Sequence, residues 1–377
     1  MKVYLERNVM DAALARIHYL FDEFPNIVVN FSGGKDSTVV LQLALKVAEE
    51  RGRLPLPVLF IDQEAEWQAT VDYVGQVMED PRIEPYWLQI PMQISNGASS
   101  KDGQDWIQCW EPGADWIHPK HPLSIKENPF GTKTFAKIFT EFMAWRFGTE
   151  RVAQIAGVRA EESPSRLRGL TTYATYKWIT WGKKDNPKHD QYSFYPIYDW
   201  SYTDVWAAIH KNGWNYCKVY DYMYRYGVPI VGMRVSSLTH DTALPQLFHM
   251  QETEPETWAK ITKRLHGINT VGQMQKDFTV PAQLPFMFKD WAEYRDHLID
   301  NLIEEEWKRE KFHKLFRDTC SRYVDAILPK LHKEQVKAVM VDDYHGTKMT
   351  VFAAAHAEYS KNKGKRGFRK YEQEQPA

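Results

Sequence analysis

The fold of this chain is decided by residues 27–41, Ile27-Val28-Val29-Asn30-Phe31-Ser32-Gly33-Gly34-Lys35-Asp36-Ser37-Thr38-Val39-Val40-Leu41. The first five residues are mostly β-branched or aromatic, which favours a buried parallel strand. Gly33 and Gly34 permit a sharp exit from that strand and leave no Cβ to obstruct a ligand. From Asp36 onward, apolar residues recur at helical spacing. The stretch therefore predicts a strand, a loop and a helix whose N-terminus forms an anion site suited to phosphate.

The loop sequence S-G-G-K-D-S differs from a Walker loop, which requires G-x-x-x-x-G-K-[ST]. It resembles the PP-loop of the ATP pyrophosphatase and phosphoadenosine-phosphosulfate (PAPS) reductase superfamily. The resemblance implies an adenine nucleotide α-hydrolase-like α/β fold and a site for ATP or a sulfonucleotide. The implied nucleotide-binding residues are Ser32, Gly33, Gly34, Lys35, Asp36 and Ser37. The alternative is a glycine-rich turn that binds no ligand.

Composition limits the classes of protein to consider. The chain has 377 residues, of which 43% are hydrophobic, so it is long enough for a large α/β domain and a second unit. The net charge of −1 gives no overall field that would indicate nucleic acid. The sequence has no run of eighteen apolar residues and no signal-peptide pattern, so we expect no membrane partner. Its three cysteines are widely separated and suit a reducing compartment, so we expect a cytoplasmic protein.

Strands and helices continue to alternate after the loop. Residues 58–61 predict a second strand and residues 67–78 a helix, which indicates right-handed crossovers and a doubly wound parallel sheet. Ligands bind such sheets beyond the carboxyl ends of the strands, where Asp62 follows the second strand. Asp62 is a candidate ligand for a metal or a ribose hydroxyl, or else a helix N-cap. A similar acidic motif follows the second strand in the PAPS reductase family, which favours the ligand role.

The segment at about 91–131 lacks periodicity and is rich in Trp, Pro, Gly and Asn, which predicts an inserted loop region over the site, as a lid. It contains Cys109, Asp115, His118 and His121. These residues could bind a metal, but their spacing differs from that of a structural zinc site.

A second motif, G-V-R-A-E-E-S-P-S-R-L-R, covers residues 157–168 and follows a predicted strand at 152–157. The planar fork of arginine suits phosphate or sulfate, whereas the alternative is a solvated charged loop. The motif looks like the arginine motif of PAPS reductases and of the ATP sulfurylase small subunit. That resemblance implies a site for the substrate anion formed by Arg159, Glu162, Arg166 and Arg168.

A third match is P-I-Y-D-W-S-Y-T-D-V-W at residues 196–206, similar to the family segment P-I-x-D-W-x-x-x-D-V-W. Its residues predict a strand, a turn and a helix capped by Ser201 with Asp204 at the third position, without chemistry of its own. Residues 220–227 resemble the next family segment more loosely. Their tyrosines either stack on a base or pack in the core.

Two departures from the family bear on function. Its reductases carry a catalytic cysteine in an E-C-G-x-H motif, whereas Cys320 lies in R-D-T-C-S-R, so thioredoxin-dependent PAPS reduction is not expected. Three scattered cysteines also fall short of the four thiolates of an iron–sulfur cluster, and none is expected.

The second departure is a predicted helical domain at 238–360, appended to a PP-loop domain at 1–237. This arrangement resembles a subgroup of PAPS reductase-like proteins that includes the immunoglobulin-binding regulator A type, and the resemblance implies a ParB-like protein partner. The basic tail at 361–377 is predicted to be disordered, and it either contacts DNA or aids solubility.

Two functions follow as hypotheses. In the first, the chain cleaves ATP between the α- and β-phosphates and adenylylates an oxyanion, as an ATP pyrophosphatase or adenylyltransferase type of enzyme. Its catalytic residues would be Lys35, Asp36 and Arg159, with Mg²⁺ on the phosphates held through water by Asp36 or Asp62. In the second, the chain binds ATP or PAPS without turnover and regulates transcription or DNA transactions with a ParB-like partner.

Overall fold

Alternating strands and helices build the first part of the chain. The computed structural model describes residues 6–99, 106–172, 175–186, 189–235, 237–240, 243, 246–269, 283–340 and 343–361. Of these, the residues up to 269 pack into one compact unit and those from 283 onward into another. No helix in these described ranges is both long and apolar enough to cross a membrane.

The strands of the first unit are β1 (Asn26–Asn30), β2 (Leu56–Ile61), β3 (Ile83–Leu88), β4 (Met92–Ser95), β5 (Trp106–Cys109), β6 (Ser124–Ile125), β7 (Val152–Ala156), β8 (Thr175–Tyr176), β9 (Ile179–Asn186) and β10 (Gln191–Phe194). Its helices are α1 (Val9–Glu23), α2 (Lys35–Glu50), α3 (Gln68–Met78), α4 (Phe135–Phe147), α5 (Pro164–Thr172), α6 (Tyr202–Asn212), α7 (Val219–Arg225), α8 (Leu247–Thr253) and α9 (Pro255–Arg264).

Eight strands form the main sheet, in the order β6-β3-β2-β1-β7-β10-β9-β8. The strands from β6 to β10 are parallel to their neighbours, and β9 and β8 extend that edge in antiparallel fashion. The chain runs outward from β1 through β2 and β3 and then returns to β7 on the other side of β1. This reversal confirms the doubly wound α/β fold and places a ligand crevice at the carboxyl end of β1.

The side chains of β1 show why the strand is central. Ile27, Val28 and Val29 are all buried, as expected for a strand covered on both faces. The apolar stripe of α2, including Val39, Leu43 and Val47, is equally buried. The predicted strand and helix on either side of the loop are therefore confirmed.

The inserted segment is more ordered than its composition predicts. β4 and β5 form a separate antiparallel pair, and β6 joins the main sheet beside β3. Ile94, Ile107 and Trp110 are buried in the core of the first unit. Large apolar side chains thus anchor the segment, although their irregular spacing hides this from the sequence.

The first unit also extends beyond the predicted boundary at 237/238. Leu238, Leu247, Met250 and Ile261 are buried in its core, and the Leu238 N–H donates to the Ala65 carbonyl oxygen over 2.7 Å. These contacts explain why the described residues from 238 to 269 pack with the sheet and not with the helical unit.

The second unit is helical, as expected. It contains α10 (Trp291–Leu302), α11 (Glu306–Cys320), α12 (Leu328–Met340) and α13 (Thr347–Ala355). Their apolar faces form a core of their own that includes Phe312, Phe316 and Leu331. The predicted basic tail lies, from residue 362 onward, outside the described residues.

Candidate functional site

A cavity of about 620 Å³ lies at the carboxyl ends of β1 and β7. Its lining includes the loop before α2 and the segment that follows β7, namely Ser32, Gly34, Lys35, Asp36, Ser37, Gly157, Arg159, Glu161, Glu162 and Arg166. The remaining lining residues are Tyr202, Tyr220, Ile230, Met233, Arg234, Val235 and His240. The two predicted motifs therefore share one cavity.

The loop is closed by its own hydroxyl groups. The Ser32 N–H donates to Ser37 Oγ over 3.2 Å, and Ser37 Oγ donates to the Gly34 carbonyl oxygen over 2.9 Å. Gly33 has a φ of +72°, a conformation that favours glycine. Gly34 has no side chain to cap α2, and the first N–H of the helix, that of Lys35, donates to the Tyr220 hydroxyl. The positive end of α2 is consequently directed at the cavity, which suits an anion.

Gly157 lets the end of β7 approach the first turn of α2. A Cβ at this position would lie 2.6 Å from the backbone carbon of Asp36 and from the backbone nitrogen of Ser37. Both atoms belong to rigid backbone, so only glycine fits without a shift. The sequence placed Gly157 in the second motif but gave it no role. The sequence feature that could have revealed this role is a glycine directly after an apolar strand.

Three buried charges form the centre of the site. The Asp36 carboxylate pairs through Oδ2 with Lys35 Nζ at 2.9 Å and through Oδ1 with Arg159 Nε at 2.5 Å. Lys35, Asp36 and Arg159 are only 6%, 8% and 4% exposed. Arg159 also faces two further carboxylates, with Nη1 3.5 Å from Glu161 Oε2 and Nη2 4.0 Å from Glu162 Oε1. The buried Lys35 and Arg159 are the groups of this cluster that can bind an anion.

Further arginines surround this centre. Arg166 Nε lies 3.0 Å from Glu162 Oε2, and Arg234 Nη2 donates to the Glu162 carbonyl oxygen over 2.6 Å. Burial, together with the Asp36 carboxylate, raises the pKa of Glu162. Of the four predicted anion-binding residues, the structure brings three to the cavity. Arg168 lies exposed on α5 and outside the lining.

Tyr220 is a site residue that sequence reasoning left undecided. Its hydroxyl accepts a hydrogen bond from the Lys35 N–H over 3.0 Å, and Lys35 Nζ lies 5.2 Å from the centre of its ring. The side chain is buried, and burial raises its pKa. Tyr220 therefore supports the loop instead of being a freely exposed stacking platform. Arg234 and the lining residues after α7 were missed because no local motif marks them.

Asp62 follows β2 as predicted, but its carboxylate does not reach the cavity. Its buried carboxylate accepts hydrogen bonds from Trp87 Nε1 and Gln89 Nε2, both over 2.9 Å, and His118 Nε2 lies 3.4 Å away. Although burial opposes ionisation, His118 and these donors hold the pKa of Asp62 below its usual range. Asp62 does not line the cavity, and α3 begins only after Trp67, so it is not an N-cap either. Its contacts make it a structural carboxylate within the core.

The inserted segment supports this carboxylate and lines no part of the cavity in the described residues. Trp110 donates through Nε1 to the Asp62 carbonyl oxygen over 2.7 Å and through its N–H to Glu64 Oε2 over 2.6 Å. Arg264 completes the cluster by pairing with Glu64 at 2.8 Å. The segment that was expected to form a lid therefore packs, in its described residues, against the loop after β2 and stabilises it.

The predicted magnesium ligands do not fit a metal ion. Both oxygens of Asp36 already face cations, and Asp62 is enclosed by hydrogen-bond donors. In the insert, Cys109 Sγ donates to the Gln63 carbonyl oxygen over 3.1 Å, and His121 stacks on Trp87. The described residues contain no cluster of three His, Cys, Asp or Glu side chains that could hold a metal. Among the described residues, Asp36 and Asp62 therefore have no carboxylate oxygen without a partner for direct coordination, and Mg²⁺ held through water stays a prediction.

The third motif forms the predicted helix cap, and its Tyr202 also lines the cavity. Ser201 caps α6, and Asp204 completes a capping box with it. Arg16 pairs in bidentate fashion with Asp199, at 2.7 and 2.8 Å, and Trp200 is buried. These contacts tie the turn before α6 to α1.

Comparisons with known proteins agree with this architecture. Residues 26–226 match the family described as the phosphoadenosine phosphosulfate reductase domain, and residues 227–374 match a domain of unknown function, DUF3440. Since the first match covers more than half of the 377 residues, the chain belongs to that reductase-domain family. The family also explains the mostly parallel sheet.

Relatives are similar over different lengths. The uncharacterised protein YbdN of Escherichia coli is 29% identical over 90% of this chain and 83% of its own length. Sulfate adenylyltransferase subunit 2 of Sulfurovum sp. is 23% identical over 51% of this chain and 58% of that protein. Among solved structures, FMN adenylyltransferase of Candida glabrata with FMN and AMPCPP has a TM-score of 0.36 and 16% identity, over 59% of this chain and 65% of that one.

Proposed function

We propose that this chain binds ATP on the loop of residues 32–37 and transfers its adenylyl group to an oxyanion. The acceptor oxygen would attack the α-phosphorus, the bond from the α-phosphorus to the bridging oxygen would break, and pyrophosphate would leave. The observation that carries the proposal is the buried cluster in which Lys35 and Arg159 share Asp36. Two buried cations that are held in place by hydrogen bonds are suited to the negative charge that develops on pyrophosphate.

The residues divide into roles by position. Lys35 and the N-terminus of α2 would bind the β- and γ-phosphates, and Arg159 would face the charge developing at the bridging oxygen. Asp36 would position both cations. Arg166 and Arg234 line the same cavity and would orient an anionic acceptor. No covalent nucleophile is needed, because positioning and charge supply the catalysis.

We propose the class of acceptor from the names of the relatives and from the arginines Arg166 and Arg234 in the cavity lining. Several relatives are named sulfate adenylyltransferase subunit 2, which supports sulfate as the first acceptor to test. No cysteine lines the described cavity, so a thiol is not proposed to react there. Cys109 and Cys217 are buried outside the lining, burial raises the pKa of Cys217 to about 11, and Cys320 belongs to the second unit.

The test is release of labelled pyrophosphate from ATP and Mg²⁺, with sulfate, phosphate and carboxylates as acceptors. We expect Lys35→Ala and Arg159→Ala each to lower the rate at least about 100-fold. Lys46→Ala is the matched control, because it removes a 59% exposed lysine of the same helix, far from its N-terminus. The proposal fails if no acceptor yields pyrophosphate, or if Lys35→Ala turns over ATP at the wild-type rate.

A second candidate function is binding of ATP or PAPS without turnover, with the second unit passing occupancy to a ParB-like partner or to DNA. The observation that favours it is a second unit with a hydrophobic core of its own. Calorimetry with ATP and PAPS, followed by product analysis, separates the two candidates. Binding without product supports a regulator. If the chain binds DNA in a salt-sensitive way and this binding disappears on deletion of residues 362–377, the tail is the segment that contacts DNA.

A further inference from the structure

The second unit contains a groove of about 890 Å³ with an unusual charge balance. Basic side chains in its lining outnumber acidic ones. The cationic residues are Arg295, Lys314 and Arg317, the acidic residues are Asp296 and Glu310, and the lining also contains the histidines His313 and His332. Asp296 is already paired with Arg295 at 2.7 Å. The groove therefore favours a small anionic molecule.

A thiol lies in this groove, and its sulfur is held by two nitrogen groups. Cys320 Sγ is 3.6 Å from His332 Nε2 and 3.4 Å from Gln335 Nε2. The buried Gln335 has its Oε1 fixed by Arg295 Nη1 at 2.7 Å. Because Arg295 can only donate, the amide oxygen must face it, and the amide N–H₂ must face the sulfur. Gln335 is thus oriented to stabilise a thiolate.

His332 is placed to take the thiol proton. Its Nε2 lies 3.6 Å from Cys320 Sγ, within reach of the thiol proton. Burial, together with the nearby Arg295 guanidinium, lowers the pKa of His332, which favours the unprotonated ring that a base requires. A thiol beside an imidazole and an amide donor, in a basic environment, has the features of a nucleophilic cysteine.

The other two cysteines lack these features. Cys109 is fully buried and donates to the Gln63 carbonyl oxygen, and burial raises its pKa well above the usual value. Cys217 is also fully buried, near Thr70. Cys320 alone is partly exposed, so the chain contains two internal controls.

We propose that Cys320 is a reactive thiol that exchanges with small anionic disulfides, with His332 as its base and the groove as the anion-binding surface. The Cys320 sulfur attacks one sulfur of a disulfide such as oxidised glutathione, and a mixed disulfide forms as the original S–S bond breaks. The Cys320 proton passes to His332 and then to the departing glutathione thiolate. No other oxidant is required.

The experiment treats the full chain with oxidised glutathione and follows the mixed disulfide by intact mass and peptide mapping. We expect one glutathione on Cys320, none on Cys109 or Cys217, and no adduct in Cys320→Ser. His332→Gln should slow the reaction about tenfold or more, because the base is lost. Circular dichroism and thermal unfolding of each variant confirm that it folds.

The charge of the groove is tested with a neutral disulfide. Lys314→Gln with Arg317→Gln should slow the reaction with glutathione disulfide about tenfold and leave that with bis(2-hydroxyethyl) disulfide nearly unchanged. Lys330→Gln, an exposed lysine of α12 outside the groove, is the control. The proposal is overturned by an adduct on Cys109 or Cys217 at the same rate, by no adduct at all, or by equal effects of the double change on both disulfides.

Discussion

Gly157→Ala is the most discriminating test of the site, because one methyl group is added where two rigid backbones meet. The new Cβ would lie 2.6 Å from the backbone at Asp36 and Ser37, which is 0.8 Å short of an ordinary contact at 3.4 Å. Neither β7 nor the first turn of α2 can yield by rotating a side chain. The loop and the strand must therefore separate by most of that distance.

The magnitude follows from this displacement. Overpacking a rigid site costs about 1–3 kcal/mol, so we expect the free energy of unfolding in urea to fall by that amount. A misplacement approaching 1 Å lowers catalysis by about 100-fold, and we expect ATP binding and pyrophosphate release to fall by about 10- to 100-fold. Gly169→Ala is the control, since a Cβ there meets nothing within 4 Å and its φ is not positive.

Two results would refute this reasoning. If Gly157→Ala unfolds with the wild-type free energy, the strand and the helix are not in the close contact described. If stability falls while calorimetry gives the wild-type affinity for ATP, the nucleotide does not depend on the position of the loop. A loss in both quantities, with Gly169→Ala unchanged in ATP binding, supports the site.

Three further predictions concern single groups. Tyr220→Phe removes the acceptor of the Lys35 N–H and should lower the free energy of unfolding by about 1–3 kcal/mol in urea; wild-type stability would contradict a supporting role. Arg159→Lys keeps the charge but loses the planar fork, so ATP affinity measured by calorimetry should fall, and an unchanged Kd would argue against phosphate contact. Burial, together with Asp62, raises the pKa of Glu66 well above 4.5, so its folded state keeps a proton that the unfolded state loses, and stability falls as pH rises above that value. Glu66→Gln should therefore flatten the loss of stability as pH rises above 4.5, and an unaltered slope in urea unfolding would refute the assignment.

The elements closest to the loop could be predicted because their signals are local. The strand before Ser32, the glycine turn and the helix after Lys35 depend on propensity and periodicity within fifteen residues of sequence. The cap at Ser201 is equally local. The pairing of Arg159 with Asp36 could be anticipated only as proximity, since parallel strands end at one edge of the sheet.

The remaining features depend on contacts between distant residues. Asp62 ends a strand as predicted, but Trp87 and His118 decide that its carboxylate is enclosed in the core. Residues 246–269 have the same helical pattern as the second unit, and only burial against the sheet assigns them to the first. Cys320 and Gln335 meet because α11 and α12 pack together, which no motif in the sequence records.

The Asp36 pairs change how ligand binding at this site should be understood. Lys35 and Arg159 are already held by a carboxylate, so a phosphate would not enter a set of unpartnered cations. The phosphate would either replace Asp36 as the partner of a cation or bind beside the existing pair, and the cations would keep their positions. Removing Asp36 would then strengthen attraction for an anion while leaving two buried cations to repel each other, at a cost of about 3–5 kcal/mol in stability. Binding and stability should consequently move in opposite directions in Asp36→Asn, whereas they fall together in Gly157→Ala.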